Sequence, residues 1–195
     1  QFKIVGIAAS EFPALPTIER EGRVAIPGSG LSSLIRKTLF AVGDNDARYI
    51  LNGLLITLHS SDKKVTMKLV GTDGHRLAVA ESDLTQSAGT DLPKEIKAII
   101  PRKAAQEIRR LLEEEEGEPL LGFTKNLVTF QKSGLFLTSR VMEGTYPNYQ
   151  QVIPKESAKK AAIERTALES ALRRVAVLSK DKTNAVKVIL QNGSI

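Results

Sequence analysis

The stretch Ile99-Ile100-Pro101-Arg102-Lys103-Ala104-Ala105-Gln106-Glu107-Ile108-Arg109-Arg110 passes from a short apolar run directly into residues at helical spacing. Pro101 marks the junction, where a proline's missing N–H costs nothing at a helix start. The same offsets occur twice more. Ile99, Ala104, Ile108, Arg109 and Arg110 correspond to Ile26, Leu31, Ile35, Arg36 and Lys37, and again to Ile163, Leu168, Leu172, Arg173 and Arg174. In each copy an apolar strand end, residues 24–26, 96–100 and 161–163, is expected to lead into an amphipathic helix. Pro27 plays the part of Pro101 in the first copy. For the offsets alone, chance similarity among amphipathic helices is the competing explanation.

Working outward, a second repeat joins an aromatic residue to a proline: Glu11-Phe12-Pro13-Ala14-Leu15-Pro16 resembles Thr145-Tyr146-Pro147-Asn148-Tyr149. Its period, from Pro13 to Pro147, is close to that from Ile26 to Ile163, so a large unit contains two smaller ones. Strand-like runs fill each half: residues 51–58, 65–70 and 76–80 in the first, and 120–123, 127–131 and 135–141 in the second. Turn signals separate them, among them His59-Ser60-Ser61-Asp62, Thr72-Asp73-Gly74 and Lys132-Ser133-Gly134. The expected class is α+β, each half reading strand, helix, then several antiparallel strands. Residues 1–20 read as the end of one domain and its linker, 21–152 as a complete middle domain, and 153–195 as a linker and the start of a third. The third copy stops after one helix and one strand, so the chain is expected to be a fragment of something longer or to need partners to bury its ends.

Composition narrows the function classes. The 195 residues carry 28 Lys and Arg against 22 Asp and Glu, a net charge of +6 that favours a polyanion if clustered on one face. The absence of Cys rules out disulfides, thiolate metal sites and a cysteine nucleophile, and suits a reducing cytoplasm. No apolar run approaches the roughly 18 to 20 residues that span a bilayer, and the N-terminus lacks a signal-peptide pattern. A soluble, cytoplasmic protein with no membrane partner is expected.

Four segments, in order, carry a resemblance. They are Asp46-Ala47-Arg48-Tyr49-Ile50-Leu51-Asn52-Gly53, Gly71-Thr72-Asp73-Gly74-His75-Arg76-Leu77-Ala78, Ile100-Pro101-Arg102-Lys103 and Gly144-Thr145-Tyr146-Pro147-Asn148-Tyr149. Together they resemble the second domain of bacterial beta sliding clamps, the DNA polymerase III beta subunits, and the likeness extends over nearly the whole chain. The resemblance implies a clamp fold in which helices line a channel for duplex DNA and antiparallel sheets lie outside. It also implies a head-to-tail homodimer of three-domain subunits in the full-length form. The implied partners are double-stranded DNA, held without base readout, the polymerase III catalytic subunit, the clamp loader and other proteins bearing a clamp-binding motif. No cofactor or metal is implied.

Two surfaces follow from it. Arg36, Lys37, Arg102, Lys103, Arg109, Arg110, Arg173 and Arg174 lie near the polar sides of their helices and are candidates to face DNA, with Arg48 and Tyr49 on the loop after the first helix. Attraction to phosphates alone suits sliding, because its energy hardly changes from one base pair to the next. Basic pairs on helices also suit a plain solvated face. The second surface is a peptide-binding pocket carried over as Arg48, Leu51, Thr72, Gly74, His75, Arg76, Leu77, Pro147 and Val152. Aliphatic walls, a glycine for close approach and a few polar groups suit a peptide with apolar anchors. Ile50 and Gln151 depart from the family pattern, in which an aromatic and an arginine are more usual. Read without the resemblance, Thr72-Asp73-Gly74 is a hairpin turn.

Two other classes compete: a protein-binding scaffold with no role on DNA, and a metal-dependent hydrolase built on Asp73, His75, His59 and the Asp44 and Asp46 pair. Against catalysis stand only two His, no metal-ligand spacing, no phosphate loop opening a helix and no nucleophile elbow.

Overall fold

Strand-to-helix junctions organise the molecule. The structure, a computed structural model, describes residues 2–12, 23–61, 64–84, 93–114, 117–155, 160–178 and 186–191. It forms two units, Gln1–Tyr149 and Gln150–Ile195. The first unit holds β1 (Arg23–Ala25), α1 (Gly28–Thr38), β2 (Gly53–Ser61), β3 (Lys64–Thr72) and β4 (Leu77–Leu84). After these come β5 (Glu95–Pro101), α2 (Arg102–Glu114), β6 (Leu120–Phe123), β7 (Leu127–Lys132) and β8 (Leu135–Arg140). The second unit holds α3 (Arg165–Ala176).

The two halves of the first unit exchange their leading strands. One sheet has the order β4-β3-β2-β5 and the other β1-β6-β7-β8. Thus β5, which opens the second half, pairs with β2 of the first, Ile56 opposite Ala98. Reciprocally, β1 pairs with β6, Val24 opposite Leu121. Every pairing among these eight strands is antiparallel.

Both helices seat themselves by an apolar stripe. On α1 the buried residues are Leu31, Leu34, Ile35 and Thr38, spaced i, i+3, i+4, i+7. Thr38 is buried with its hydroxyl donating back to Leu34 O at 2.8 Å, so no polar atom is stranded. On α2 they are Ala104, Ala105, Ile108 and Leu111. Pro27 precedes the first residue of α1, and its carbonyl accepts from Leu31 N at 3.1 Å. Pro101 ends β5 immediately before α2.

The main core lies between the helices and the sheets, with Ile26, Leu31, Ile35, Leu54, Met67, Leu69, Ile100, Ile108, Leu121 and Phe130 all buried. Each such side chain contributes about 1.5 to 3 kcal/mol relative to exposure. β2, flanked by β3 and β5, is buried on both faces over most of its length, which is why its sequence reads as an unbroken apolar run. Its outward Leu55 joins Val70, Ile99 and Tyr146 in a second cluster, against which Ile50, Leu77, Met142 and Tyr149 pack. The Tyr146 hydroxyl donates to Val70 O at 3.2 Å, and burial pushes its pKa up to about 12.

Three sequence expectations are corrected. Residues 161–163 form no strand, because a strand exists by pairing and residues 160–164 have no ladder partner among the described residues. The helix that follows does form, its Glu164 cap accepting from Thr166 N at 3.0 Å and Ala167 N at 2.6 Å. It buries no residue, however, with Ile163 40% and Leu172 39% exposed. His59, Ser60 and Ser61 continue β2 instead of turning, with His59 opposite Thr66 and Glu95. Leu51 precedes the strand, in a 3-10 turn at Tyr49–Asn52. The Pro13 to Pro16 member of the second repeat, Asp62 of the polar turn, and Glu115 and Glu116 lie outside the described residues.

Candidate functional site

Between β3 and β4 the chain turns through Asp73, Gly74, His75 and Arg76, and its own side chains organise the turn. Asp73 Oδ1 accepts from the backbone N of His75 and of Arg76, both at 2.9 Å, while Oδ2 accepts from Arg76 Nε at 2.9 Å. Thr72 Oγ1 donates to Arg76 O at 2.7 Å and accepts from Gly74 N at 3.0 Å. Desolvation alone would raise the Asp73 pKa, but the bonds from the His75 and Arg76 amides and the Arg76 side chain, with the Arg76 charge, outweigh it and hold the carboxyl below its usual range. Gly74 has φ +82°, the left-handed region that glycine enters without strain. His75 and Arg76 are exposed, and Leu77 is half-buried against the second cluster.

Two neighbouring segments meet this turn. In the loop between α1 and β2, Arg48 grips Asp46 through Nε to Oδ1 at 3.0 Å and Nη2 to Oδ2 at 2.9 Å. Its Nη2 also donates to Asp73 O at 3.0 Å. The guanidinium depresses the Asp46 pKa from 3.8 to about 2, through that paired hydrogen bond first and the Arg48 backbone N–H second. A Cβ at Gly74 would stand 2.8 Å from Nη1 and Nη2 of Arg48, so the glycine also makes room for the arginine. The adjoining Tyr49 hydroxyl donates to Glu143 O, tying the loop to the segment that carries Tyr146 and Pro147.

The sequence-derived pocket residues therefore fall into distinct settings. Arg48, Thr72, Gly74, His75, Arg76 and Leu77 gather about one turn. Pro147 is exposed three residues beyond Gly144. Leu51 is 2% exposed, so it can underlie a groove but cannot reach into one. Val152 is 67% exposed and belongs to the second unit.

The basic residues also divide. Arg36 and Lys37 are exposed on α1, and no carboxylate among the described residues pairs with either. Arg110 Nε donates to Glu107 at 3.0 Å, and its two Nη groups reach Glu107 and Glu114. Arg109 Nε is buried with no hydrogen-bond acceptor among the described residues, 3.9 Å from Glu113. Arg102 turns back to donate to the carbonyls of Val42 and Gly43, which staples α2 to the end of the α1 segment. Lys103 is exposed, and with Gly43, Asn45 and Gln106 it lines a depression of about 350 Å³. On α3, Arg173 pairs with Glu169 at 2.6 Å and Arg174 is exposed.

Residues 25–148 match the family described as DNA polymerase III beta subunit, central domain. The chain belongs to that sliding-clamp family. It is 33% identical to the beta sliding clamp of Caulobacter vibrioides strain NA1000 over 195 residues, covering all of this chain and 51% of that protein. It is 34% identical to the beta sliding clamp of Proteus mirabilis over 197 residues, again covering 51% of the relative. The crystal structure of the Pseudomonas aeruginosa sliding clamp bound to griselimycin is similar at TM-score 0.78 and 31% identity, over 91% of this chain and 46% of that one. The chain thus spans about half the length of the curated relatives it matches.

In this clamp domain, sequence reasoning missed three structural partners: Asp46, Asn52 and the buried Tyr146. Asp46 and Arg48 were visible as an acid and a base two residues apart, a spacing with no periodic meaning in a loop. Asn52 gives no signal at all. Among the described residues no three His, Asp or Glu side chains converge as a metal cluster would require, and no helix is long and apolar enough to cross a membrane.

Proposed function

We propose that this chain supplies the middle domain of a ring-forming, non-catalytic clamp that encircles duplex DNA and tethers the replicative polymerase. The central-domain match over residues 25–148 carries the reading. The domain limits we adopt are 1–20, 21–152 and 153–195, and the full-length form is a homodimer acting in the cytoplasm without a cofactor. Arg36, Lys37, Lys103, Arg174 and Tyr49 are the proposed DNA-facing groups that are exposed and have no carboxylate partner among the described residues. The groove built within the first unit on Arg48, Thr72, Gly74, His75, Arg76, Leu77 and Pro147 docks short peptides of the polymerase III catalytic subunit, the clamp loader and other clamp-binding proteins. Leu77 offers an apolar surface beside exposed polar groups, a combination suited to an extended peptide. The Pseudomonas aeruginosa relative is bound to griselimycin, which we take as the probe with which to test that groove.

Topological retention tests the first part. Full-length protein loaded on nicked circular DNA is expected to stay bound and to be lost when the circle is linearised. Equal loss from both forms rejects encirclement.

A further inference from the structure

One carboxylate receives three hydrogen bonds from a single residue. Asp46 Oδ1 accepts from Arg48 N at 2.8 Å and Arg48 Nε at 3.0 Å, and Oδ2 accepts from Nη2 at 2.9 Å. Asp46 is in turn locked by Asn52: its N–H donates to Asn52 Oδ1 at 2.8 Å, and Asn52 Nδ2 donates to its carbonyl at 3.0 Å. Asn52 immediately precedes β2, so this lock is anchored to a central strand. At the other end, the same Arg48 Nη2 holds Asp73 O at 3.0 Å, with the guanidinium lying over Gly74.

We infer that Asp46 is a positioning residue for the docking groove, fixing the Arg48 guanidinium against the Asp73 and Gly74 backbone and thereby the turn that presents Thr72, His75 and Leu77. The inference rests on the groove reading above. Its physical basis is a competition between two carboxylates. Asp73 lies close enough for its charge to act on Arg48, yet its own oxygens are engaged by the amides of His75 and Arg76 and by Arg76 Nε. A bidentate pair with Asp46 takes two of the five N–H donors of Arg48 and fixes the plane of the guanidinium, so that Nη2 also meets the Asp73 carbonyl. Without that carboxylate the guanidinium turns to the Asp73 side chain and pulls it from the amides that shape the turn. A ligand then meets a groove that must be reordered on binding, which weakens affinity without removing any contact residue.

The test uses the full-length protein and griselimycin, titrated by calorimetry. Asp46→Asn is expected to weaken binding about tenfold while leaving the thermal midpoint unchanged, and Asp46→Glu is expected to recover most of the affinity. Hydrogen exchange at the amides of His75 and Arg76 should speed up in Asp46→Asn, which a loss confined to the 44–50 loop does not produce. In an Arg48→Met background, Asp46→Asn should add nothing, because its effect passes through Arg48. If Asp46→Asn does not fold, Asn52→Ser, which keeps the carboxylate but loosens its seat, must show the same direction of loss. Wild-type affinity in Asp46→Asn alongside weakened binding in Leu77→Ala overturns the positioning role and leaves the groove intact. Wild-type affinity in both rejects the groove and the positioning role together.

Discussion

Helices α1 and α2 occupy equivalent places in the two halves and carry basic pairs at the same offset, yet they present different charge. In α1, GSGLSSLIRKT, no acidic residue stands within a turn of Arg36 and Lys37, and both remain unpaired among the described residues. In α2, RKAAQEIRRLLEE, Glu107, Glu113 and Glu114 fall three or four residues from Arg109 and Arg110 and take up much of their charge. Side chains three and four apart on a helix are neighbours, so a conserved direction does not guarantee a conserved field. The repeat fixes where the pairs stand along their helices, and the intervening acids decide what a phosphate would meet.

The seats of the two helices differ as well, and the largest expected effect lies there. Gly71 of β3 packs against the backbone of α1: a Cβ would come within 2.4 Å of Thr38 O, where nothing flexible can give way. Gly71→Ala is expected to destabilise the first unit by about 1 to 3 kcal/mol, read as a lower midpoint in chemical denaturation, and to displace Arg36 and Lys37 with their helix. Wild-type stability would show that α1 is loosely seated.

Next in size, replacing Arg36 and Lys37 together by Ala in the full-length protein is expected to reduce the slope of log affinity for a short duplex against log salt by about 2. The pair Arg109→Ala and Arg110→Ala should lower it by less than about 1. Equal slopes would erase the distinction between the helices. The converse experiment makes α2 resemble α1: Glu107→Gln with Glu114→Gln frees Arg110 and should steepen the slope by up to about 1, with a corresponding gain in affinity at low salt.

The smallest effect is pH dependence. Arg110 holds the Glu107 carboxyl below its ordinary value of 4.5, chiefly through their hydrogen bond. A depressed folded-state pKa contributes stability that is present above pH 4.5 and lost as pH falls through the lower folded value. Both groups are exposed and solvent screens the pair, so acid titration should release Arg110 with little change in the unfolding midpoint. α1, lacking such acids, should show no counterpart. A large stability loss confined to α2 in acid would mean that the Glu107 pair holds the helix together.

Much of this architecture was legible because it depends on spacing. Pro27 and Pro101 mark the helix starts, and residues 120–123 coincide with β6, since apolar periodicity and turn residues report local geometry directly. Residues 161–163 misled because a strand is a relation between segments, and no ladder partner stands beside them among the described residues. The polar end of β2 at His59 and Ser60 read as a turn for a similar reason: a strand that outruns the apolar core carries polar side chains but keeps its ladder. At the candidate site, the 72–77 turn announced itself through Asp73-Gly74. Its link to Asp46 did not, because Arg48 and Asp73 are 25 residues apart and meet only through tertiary structure.

The exchange of leading strands sets how this domain must form. Val24 finds Leu121 nearly a hundred residues later, and Ile56 waits for Ala98. Closing such loops costs chain entropy before either sheet is complete, so folding is slowed and neither half can complete its four-stranded sheet alone. A ribosome must release residues through β6 before the first three-residue strand has its partner, and until then the chain exposes sheet edges that only its own second half can cover.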